Sequence, residues 1–321
     1  MVACLAGLAA TIVQPARAAG GFDLTVPPAG IADQPIGATD DDIRVNQTGI
    51  SAYFANWDAR VARVRASQPR WSSPLITTTG LLEQRVRVDL DLQHAGNGSN
   101  TTALDGGRGL DLIVSDTNEV QIAAIPYLAR SGVAGVGPKN KGAIAPIEGF
   151  NDWPFLRVEQ RLASAPAGAG DYVLTAWLAV QAPVGTAALT SGAWIWQPTL
   201  AFGKGWGDFD IQGTVGGFIP ASRVDRIGDQ VQTNIALQYH LRPVFWPELE
   251  VNWTYYANGA RAGLHQVFLT PGLVVGRIAL TERLKLTIGA GYQAAVAPAY
   301  RAKPLTPAYD HAWVFTTRMV F

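Results

Sequence analysis

From about residue 80 to the last residue, apolar and polar side chains alternate with a period of two, and this constrains the fold more than any other feature. Leu82, Val86, Val88, Leu90 and Leu92 interleave with Glu83, Arg85, Arg87, Asp89, Asp91 and Gln93. The pattern returns in Val231, Thr233, Ile235, Leu237, Tyr239 and Leu241, in Leu249, Val251, Trp253 and Tyr255, and in Leu284, Leu286, Ile288 and Tyr292 against Lys285, Thr287 and Gln293. Successive residues of a strand point to opposite faces, whereas a helix repeats every 3.6 residues, so these are strands. The template predicts twelve of them, near 80–93, 109–115, 119–127, 152–163, 171–183, 193–204, 207–219, 229–241, 248–257, 264–276, 283–295 and 310–321. Pro126 and Pro198 weaken the third and sixth, because proline cannot donate to a ladder. Long connections are expected at Gly96–Arg108, Leu128–Asn151 and Val296–Pro307, alternating with tight turns such as Asp116-Thr117-Asn118 and Gly205-Trp206.

Alternation by itself does not say which face is wet. A sandwich hides its apolar faces between two sheets; a membrane barrel turns them outward and must close, because the bilayer core leaves an open strand edge without partners. An even strand count and alternately short and long connections are those of an outer-membrane barrel. The last residues point the same way: Trp313, Phe315, Met319 and the terminal Phe321 read as the signal that the barrel assembly machinery recognises on a last strand. Composition agrees, with 48% hydrophobic but only 16% charged residues, against about 25% charged in soluble domains. No apolar run reaches the length of about 18 residues that a membrane helix needs. The 25 basic and 25 acidic side chains cancel, which leaves no basic excess for nucleic acid.

Residues 2–13 are apolar and Pro15-Ala16-Arg17-Ala18 supplies small residues before a cut, so 1–18 is expected to be a secretory signal peptide. The only cysteine, Cys4, lies within it, and the remaining chain then has no disulfide, thiolate nucleophile or cysteine metal site. Residues 19–79 are rich in Pro, Gly and Asp and read as an irregular periplasmic or plug segment before the barrel of 80–321. Within it Ile50, Phe54, Trp57, Val61 and Val64 recur at three- and four-residue spacing, predicting an amphipathic helix of about four turns. Run on its own, Asp40-Asp41-Asp42 reads as a solvated acidic stretch.

With the apolar face outward, the polar face lines the lumen. The residues placed there as candidates for a charge- and size-selecting constriction are Glu83, Arg85, Arg87, Asp89 and Asp91, Arg157, Glu159 and Arg161, Asp208 and Asp210, Glu248 and Glu250, Lys285 and Arg318. The bland alternative for each is that it pairs across strands and fills a narrow interior. A barrel lipid hydrolase would need a nucleophile with a base and an orienting group. None of His94, His240, His265 and His311 is followed two positions later by serine, and His94 beside Asn97, Ser99 and Asn100 is a faint constellation. No catalytic residue, metal site or cofactor is expected.

Several motifs resemble those of outer-membrane transporters grouped under the meta-pathway of phenol degradation, distantly similar to channels for hydrophobic compounds. They are Gln68-Pro69-Arg70-Trp71, Ser73-Pro74-Leu75, Leu82-Glu83-Gln84-Arg85-Val86-Arg87, Gly149-Phe150-Asn151-Asp152, the run from Gly203 to Asp210, Leu237-Gln238-Tyr239, Trp246-Pro247-Glu248-Leu249-Glu250 and Phe268-Leu269-Thr270-Pro271-Gly272. The likeness runs from about residue 68 to the end. It implies a barrel far more strongly than a substrate and carries over no catalytic residue. The expectation is an all-β transmembrane antiparallel barrel of about 12 strands in the outer membrane of a Gram-negative bacterium. Its partners would be outer-membrane lipids, the assembly machinery and a small, neutral or hydrophobic solute that crosses passively. The competing class is a structural or adhesive barrel without a pore.

Overall fold

The computed structural model describes residues 49–95, 98–106, 108–131, 146–297 and 309–321. The chain divides into two compact units, Met1–Ala52 and Tyr53–Phe321. The signal peptide expected at 1–18 and the Asp40–Asp42 run lie outside the described residues.

Strand formation follows the period-two text. The segments are β1 (Arg85–His94), β2 (Asn100–Leu104), β3 (Gly109–Ile113), β4 (Asn118–Ala123), β5 (Tyr127–Ser131), β6 (Ile147–Phe150), β7 (Trp153–Ala165) and β8 (Tyr172–Ala182). They continue with β9 (Ile195–Trp206), β10 (Phe209–Pro220), β11 (Gln230–Tyr239), β12 (Phe245–Tyr256), β13 (His265–Ala279), β14 (Lys285–Ala297) and β15 (His311–Val320). Each pairs antiparallel with its neighbour, and β15 returns to β1 over ten residue pairs from Arg85↔Val320 to His94↔His311, closing the sheet. Three pairs of segments, β2 with β3, β4 with β5 and β6 with β7, are each one interrupted stave, so the barrel has twelve staves.

The interruptions correct two expected loops. Gly96–Arg108 contains β2, and Leu128–Asn151 contains most of β5 together with β6. Between Leu90↔Leu104 and Val86↔Leu110, three residues of β1 oppose five of the partner stave. The surplus of two lies in a bulge around Asp105, which takes a left-handed φ of 56°; being even, it interrupts the stave but keeps Leu104 and Leu110 on the same face. The neighbouring staves break at 124–126, which includes Pro126, and at 151–152. The ladder is carried across by Ala124 N–H to Arg108 O at 2.7 Å and Asn151 N–H to Pro126 O at 2.8 Å. Pro198 sits inside β9, and the β9–β10 ladder skips opposite it between Thr199 and Trp196.

Connections at one end of the barrel are short (114–117, 166–171, 207–208, 240–244, 280–284), and those at the other are longer, as at 183–194 and 221–229. Burial is inverted relative to a soluble protein. Val86, Val88, Leu92, Leu200, Val215, Trp313, Phe315 and Met319 are exposed on the outer face, while Arg85, Arg87, Glu119, Glu159, Glu250 and Arg318 are at most 2% exposed. An apolar exterior around a charged interior is the polarity of a membrane barrel.

The expected four-turn helix is two helices, α1 (Ile50–Ala55) and α2 (Trp57–Ala66), which meet at Asn56. Of its apolar stripe, Val61 and Val64 are buried, against Leu82 and Ile113, with Trp57 packed beside them, while Ile50 and Phe54 are exposed. Arg60, off that stripe, is buried: its guanidinium lies 4.2 Å from the Tyr53 ring centroid and 4.6 Å from that of Trp57, a cation–π arrangement. Tyr53 Oη donates to Val114 O at 2.9 Å and Arg63 pairs with Asp116 at 3.0 Å, which fixes this segment at the short-turn end.

Candidate functional site in the barrel interior

Residues 67–84 run from α2 into the barrel and back to β1. Pro69, Pro74 and Gly80 interrupt any helix or strand, and the segment stays extended and irregular. Its apolar side chains pack into the lumen: Trp71, Leu75 and Leu81 cluster with Val173, Trp246 and Val274. Leu75 is fully buried in a notch floored by three glycines. A Cβ at Gly289 would lie 2.6 Å from Leu75 Cδ2, one at Gly291 2.7 Å from Leu75 Cδ1, and one at Gly272 would also strike Cδ1. Trp71 uses Gly205 likewise and donates its indole N–H to Asp171 at 3.3 Å.

The backbone at the apex of this segment is held crosswise. On one side its amides donate to two glutamates of β12: Leu75 N–H to Glu248 at 3.0 Å, and Ile76 and Thr77 N–H to Glu250 at 2.7 and 2.6 Å. On the other side its carbonyls accept from arginines: Ser73 and Pro74 from Arg318, the second at 2.6 Å; Pro74 and Leu75 from Arg87, the first at 3.4 Å; and Ile76 from Arg108 at 2.8 Å. The peptide dipoles therefore lie between a cationic wall and an anionic one. Among the described residues, Asp89 is the one carboxylate within ion-pair distance of Arg87 and Arg108, at 2.8 and 3.0 Å, and none is that close to Arg318. Likewise no cation among them pairs with Glu248 or Glu250. A buried charge without a counter-ion needs hydrogen bonds from fixed dipoles, and residues 73–77 supply them.

Further contacts secure the rest of the segment. Arg277 donates to Arg70 O at 3.0 Å and Trp71 O at 2.6 Å. Gln212 donates to Ser72 O at 2.8 Å and accepts from Thr79 Oγ1 at 2.7 Å. Thr175 donates to Gly80 O at 2.5 Å, and Arg161 to Gln68 Oε1 at 3.1 Å and Ser67 Oγ at 3.0 Å. Between residues 68 and 83, each of these bonds to the wall uses a side chain on at least one side.

The sequence-predicted lumen residues thus fall into groups. Arg87, Asp89, Glu248, Glu250 and Arg318 form the clamp. Glu83 and Arg85 pair with each other, and Arg85 also binds Asp111 at 2.7 Å and Ser73 Oγ at 2.8 Å. Arg157 pairs with Glu159 and lies 3.6 Å from Glu119 and 3.8 Å from Asp111. Asp210 is buried and accepts from Gln212 at 3.0 Å, whereas Asp208 is exposed in the β9–β10 turn and Lys285 is exposed at the start of β14. Arg108 and Arg277 escape sequence reasoning because both sit at irregularities, Arg108 beside the β2–β3 bulge and Arg277 at a register shift with φ 62°. Asp111 and Glu119 alternate with leucine, valine and isoleucine in short strands, and that alternation was the signal that marks them.

Beyond the apex, toward the longer connections, is a cavity of about 580 Å³ with Ile76 and Thr78 among its lining residues. Asp91, half-buried, lines it, together with Arg108, Arg157 and a run of neutral hydrogen-bonding groups including Gln181, Gln197, Thr214 and Gln232. A relay of side chains extends around this level. Tyr309 donates to Gln293, Gln293 to Asn252 at 3.1 Å, Asn252 to Asn234 at 3.0 Å, and Asn234 to Thr214 at 3.0 Å. Burial, aided by the Asp91 charge, pushes the Tyr309 phenol up, so it serves as a donor. His94 bonds Asn100 at 2.6 Å and its ring lies against His311, 4.9 Å between centroids. Trp313, Phe315 and Met319 project from the outer face of β15, and Phe321 follows it, its carbonyl accepting from Arg65 at 2.7 Å.

No protein-family model matches the chain, and no curated protein matches it. Solved structures do. An outer-membrane channel from Pseudomonas putida F1 is 13% identical with a TM-score of 0.50, over 78% of this chain and 99% of that one. The NanC porin is 9% identical with a TM-score of 0.44, over 74% and 98%. An anion-selective porin from Comamonas acidovorans is 11% identical with a TM-score of 0.30, over 74% and 97%. The first of these carries the assignment: the chain has the fold of an outer-membrane channel barrel.

Proposed function

We propose that this protein is an outer-membrane channel through which small neutral solutes pass passively, and that residues 67–84 are its gate. The observation that carries this reading is a closed barrel whose interior is filled by a peptide, residues 68–83, bound through side chains instead of by ladder hydrogen bonds, which resume at Gln84 O, the acceptor of Phe321 N–H. Such a peptide can leave without unzipping the wall. The cavity above it has the size of a small-molecule site, which typically spans about 300–1,000 Å³. Its amide and hydroxyl lining favours solutes that hydrogen-bond over bare aromatic hydrocarbons, so of the neutral and hydrophobic classes the neutral one is retained. The motif resemblance to transporters of the phenol meta-pathway group fits a channel, and three of those motifs, Ser73-Pro74-Leu75, Trp246–Glu250 and Phe268–Gly272, meet at the clamp. Export by the 1–18 leader and recognition of Trp313, Phe315, Met319 and Phe321 by the assembly machinery belong to the same reading.

Two measurements test it. Detergent extracts of outer membranes should contain a band whose gel mobility changes on heating, and a periplasmic soluble protein would refute the barrel. Purified protein in planar bilayers should give discrete conductance steps. A barrel that never conducts, even with the gate weakened by substitution, is the structural or adhesive barrel instead.

A further inference from the structure

Residue Leu75 is bound at three points at once: its N–H on Glu248, its carbonyl on Arg87, and its side chain in the notch of Gly272, Gly289 and Gly291. Nothing about holding a plug requires that combination. A plug is secured by any sufficient apolar contact, and charged walls only partly neutralised by ion pairs are a costly way to bind neutral peptide groups. The same walls suit a ligand that carries its own charges. Among the described residues no carboxylate lies within ion-pair distance of Arg318, Arg87 and Arg108 share Asp89, and no cation lies within ion-pair distance of Glu248 or Glu250. With the peptide withdrawn, the site offers a guanidinium pair, a carboxylate pair and a socket the size of an aliphatic side chain, spaced to fit one amino-acid residue.

We propose that the gate peptide occupies a solute-recognition site, and that the solutes recognised are small zwitterions of the amino-acid type with a branched aliphatic side chain. The carboxylate of the solute takes the place of the carbonyls on Arg87 and Arg318, its ammonium group that of the amide on Glu248, and its side chain that of Leu75. This rests on the channel reading and narrows its neutral class: a zwitterion has no net charge, but unlike a hydrocarbon it has a dipole that a transverse field aligns. Binding exchanges one set of contacts for another, so such a solute also competes the gate out of its seat.

The test is uptake of radiolabelled L-leucine into liposomes carrying the full-length protein, with protein-free liposomes subtracted, in competition with unlabelled compounds that remove one feature each. Glycine lacks the side chain, 4-methylvalerate the ammonium group and isoamylamine the carboxylate. Unlabelled L-leucine should compete best and each of the other three should be about tenfold weaker, the loss expected for one charge-assisted contact or one buried side chain. The E248Q/E250Q variant should lose the distinction between leucine and 4-methylvalerate. Mannitol uptake in the same liposomes reports on the channel itself. Mannitol passage without any leucine preference overturns the recognition site and leaves the channel standing. Absence of passage for every solute, in wild type and in Leu75→Ala, overturns both.

Discussion

Leu75→Ala isolates the apolar part of the gate. The side chain is fully buried and packs on Gly272, Gly289 and Gly291. Truncating a buried leucine costs about 2–5 kcal/mol. Because residues 68–83 join the wall through side chains, that loss falls on the seated-to-released equilibrium of the segment and leaves the sheet intact. At 1.4 kcal/mol per factor of ten, a loss of about 3 kcal/mol raises the released-to-seated ratio roughly 150-fold. Single-channel recording reads this as a higher open fraction with unchanged open-state conductance, and heat-modifiable mobility checks that the barrel is intact. Gly291→Ala should act in the same direction, since its Cβ would meet Leu75 Cδ1 at 2.7 Å. Combined with Leu75→Ala it should add little, because the colliding atom is gone, and that non-additivity marks a direct contact. A correctly assembled Leu75→Ala barrel with wild-type open fraction would refute the reasoning and leave the polar clamp as the whole latch.

Other perturbations address the remaining contacts. Glu250→Gln keeps one acceptor for the two amides bound at 2.7 and 2.6 Å and should raise the open fraction about ten- to a hundredfold, from the roughly 1–3 kcal/mol of an unmatched buried donor. Cysteines at Gly80 and Ala201, where a Cβ at position 80 would lie 3.2 Å from that of Ala201, are within slight adjustment of disulfide geometry. Oxidation should silence conductance and reductant should restore it; persistent current in the oxidised protein would show that solutes bypass the segment. Phe321→Ala should slow appearance of the heat-modifiable form in cells without changing the conductance of what does assemble.

Much of the barrel was legible because a strand with one wet and one apolar face must alternate. The predicted 229–241, 283–295 and 310–321 correspond to Gln230–Tyr239, Lys285–Ala297 and His311–Val320. The same alternation placed Glu248, Glu250 and Arg318 on the inner face. What it omitted has definite causes. The text of β2, Asn100-Thr101-Thr102-Ala103-Leu104, has no sustained apolar–polar alternation and lies between glycine-rich stretches, which concealed it inside an expected loop. A register shift turned Arg277 toward Trp71 O. The partners of the clamp are backbone groups of an extended segment with no period, and no side-chain pattern announces a backbone acceptor. The notch for Leu75 is made of glycines, which in a strand read as weak positions until the group that approaches them is known.

The clamp also bears on the order of events during assembly. Arg87 and Arg318 are register partners across the junction of the first and last staves, so closing the ring brings two like charges together. Pro74 O accepts from both, with Ser73 O and Leu75 O alongside. The peptide precedes β1 directly in the chain and is at hand when β15, the later-synthesised of the two, arrives. In the closed barrel it lies like a rivet over the seam, its carbonyls serving both arginines and offsetting their repulsion. Excising the segment would remove the rivet along with the gate, which is why single substitutions within it separate gating from biogenesis and a deletion does not.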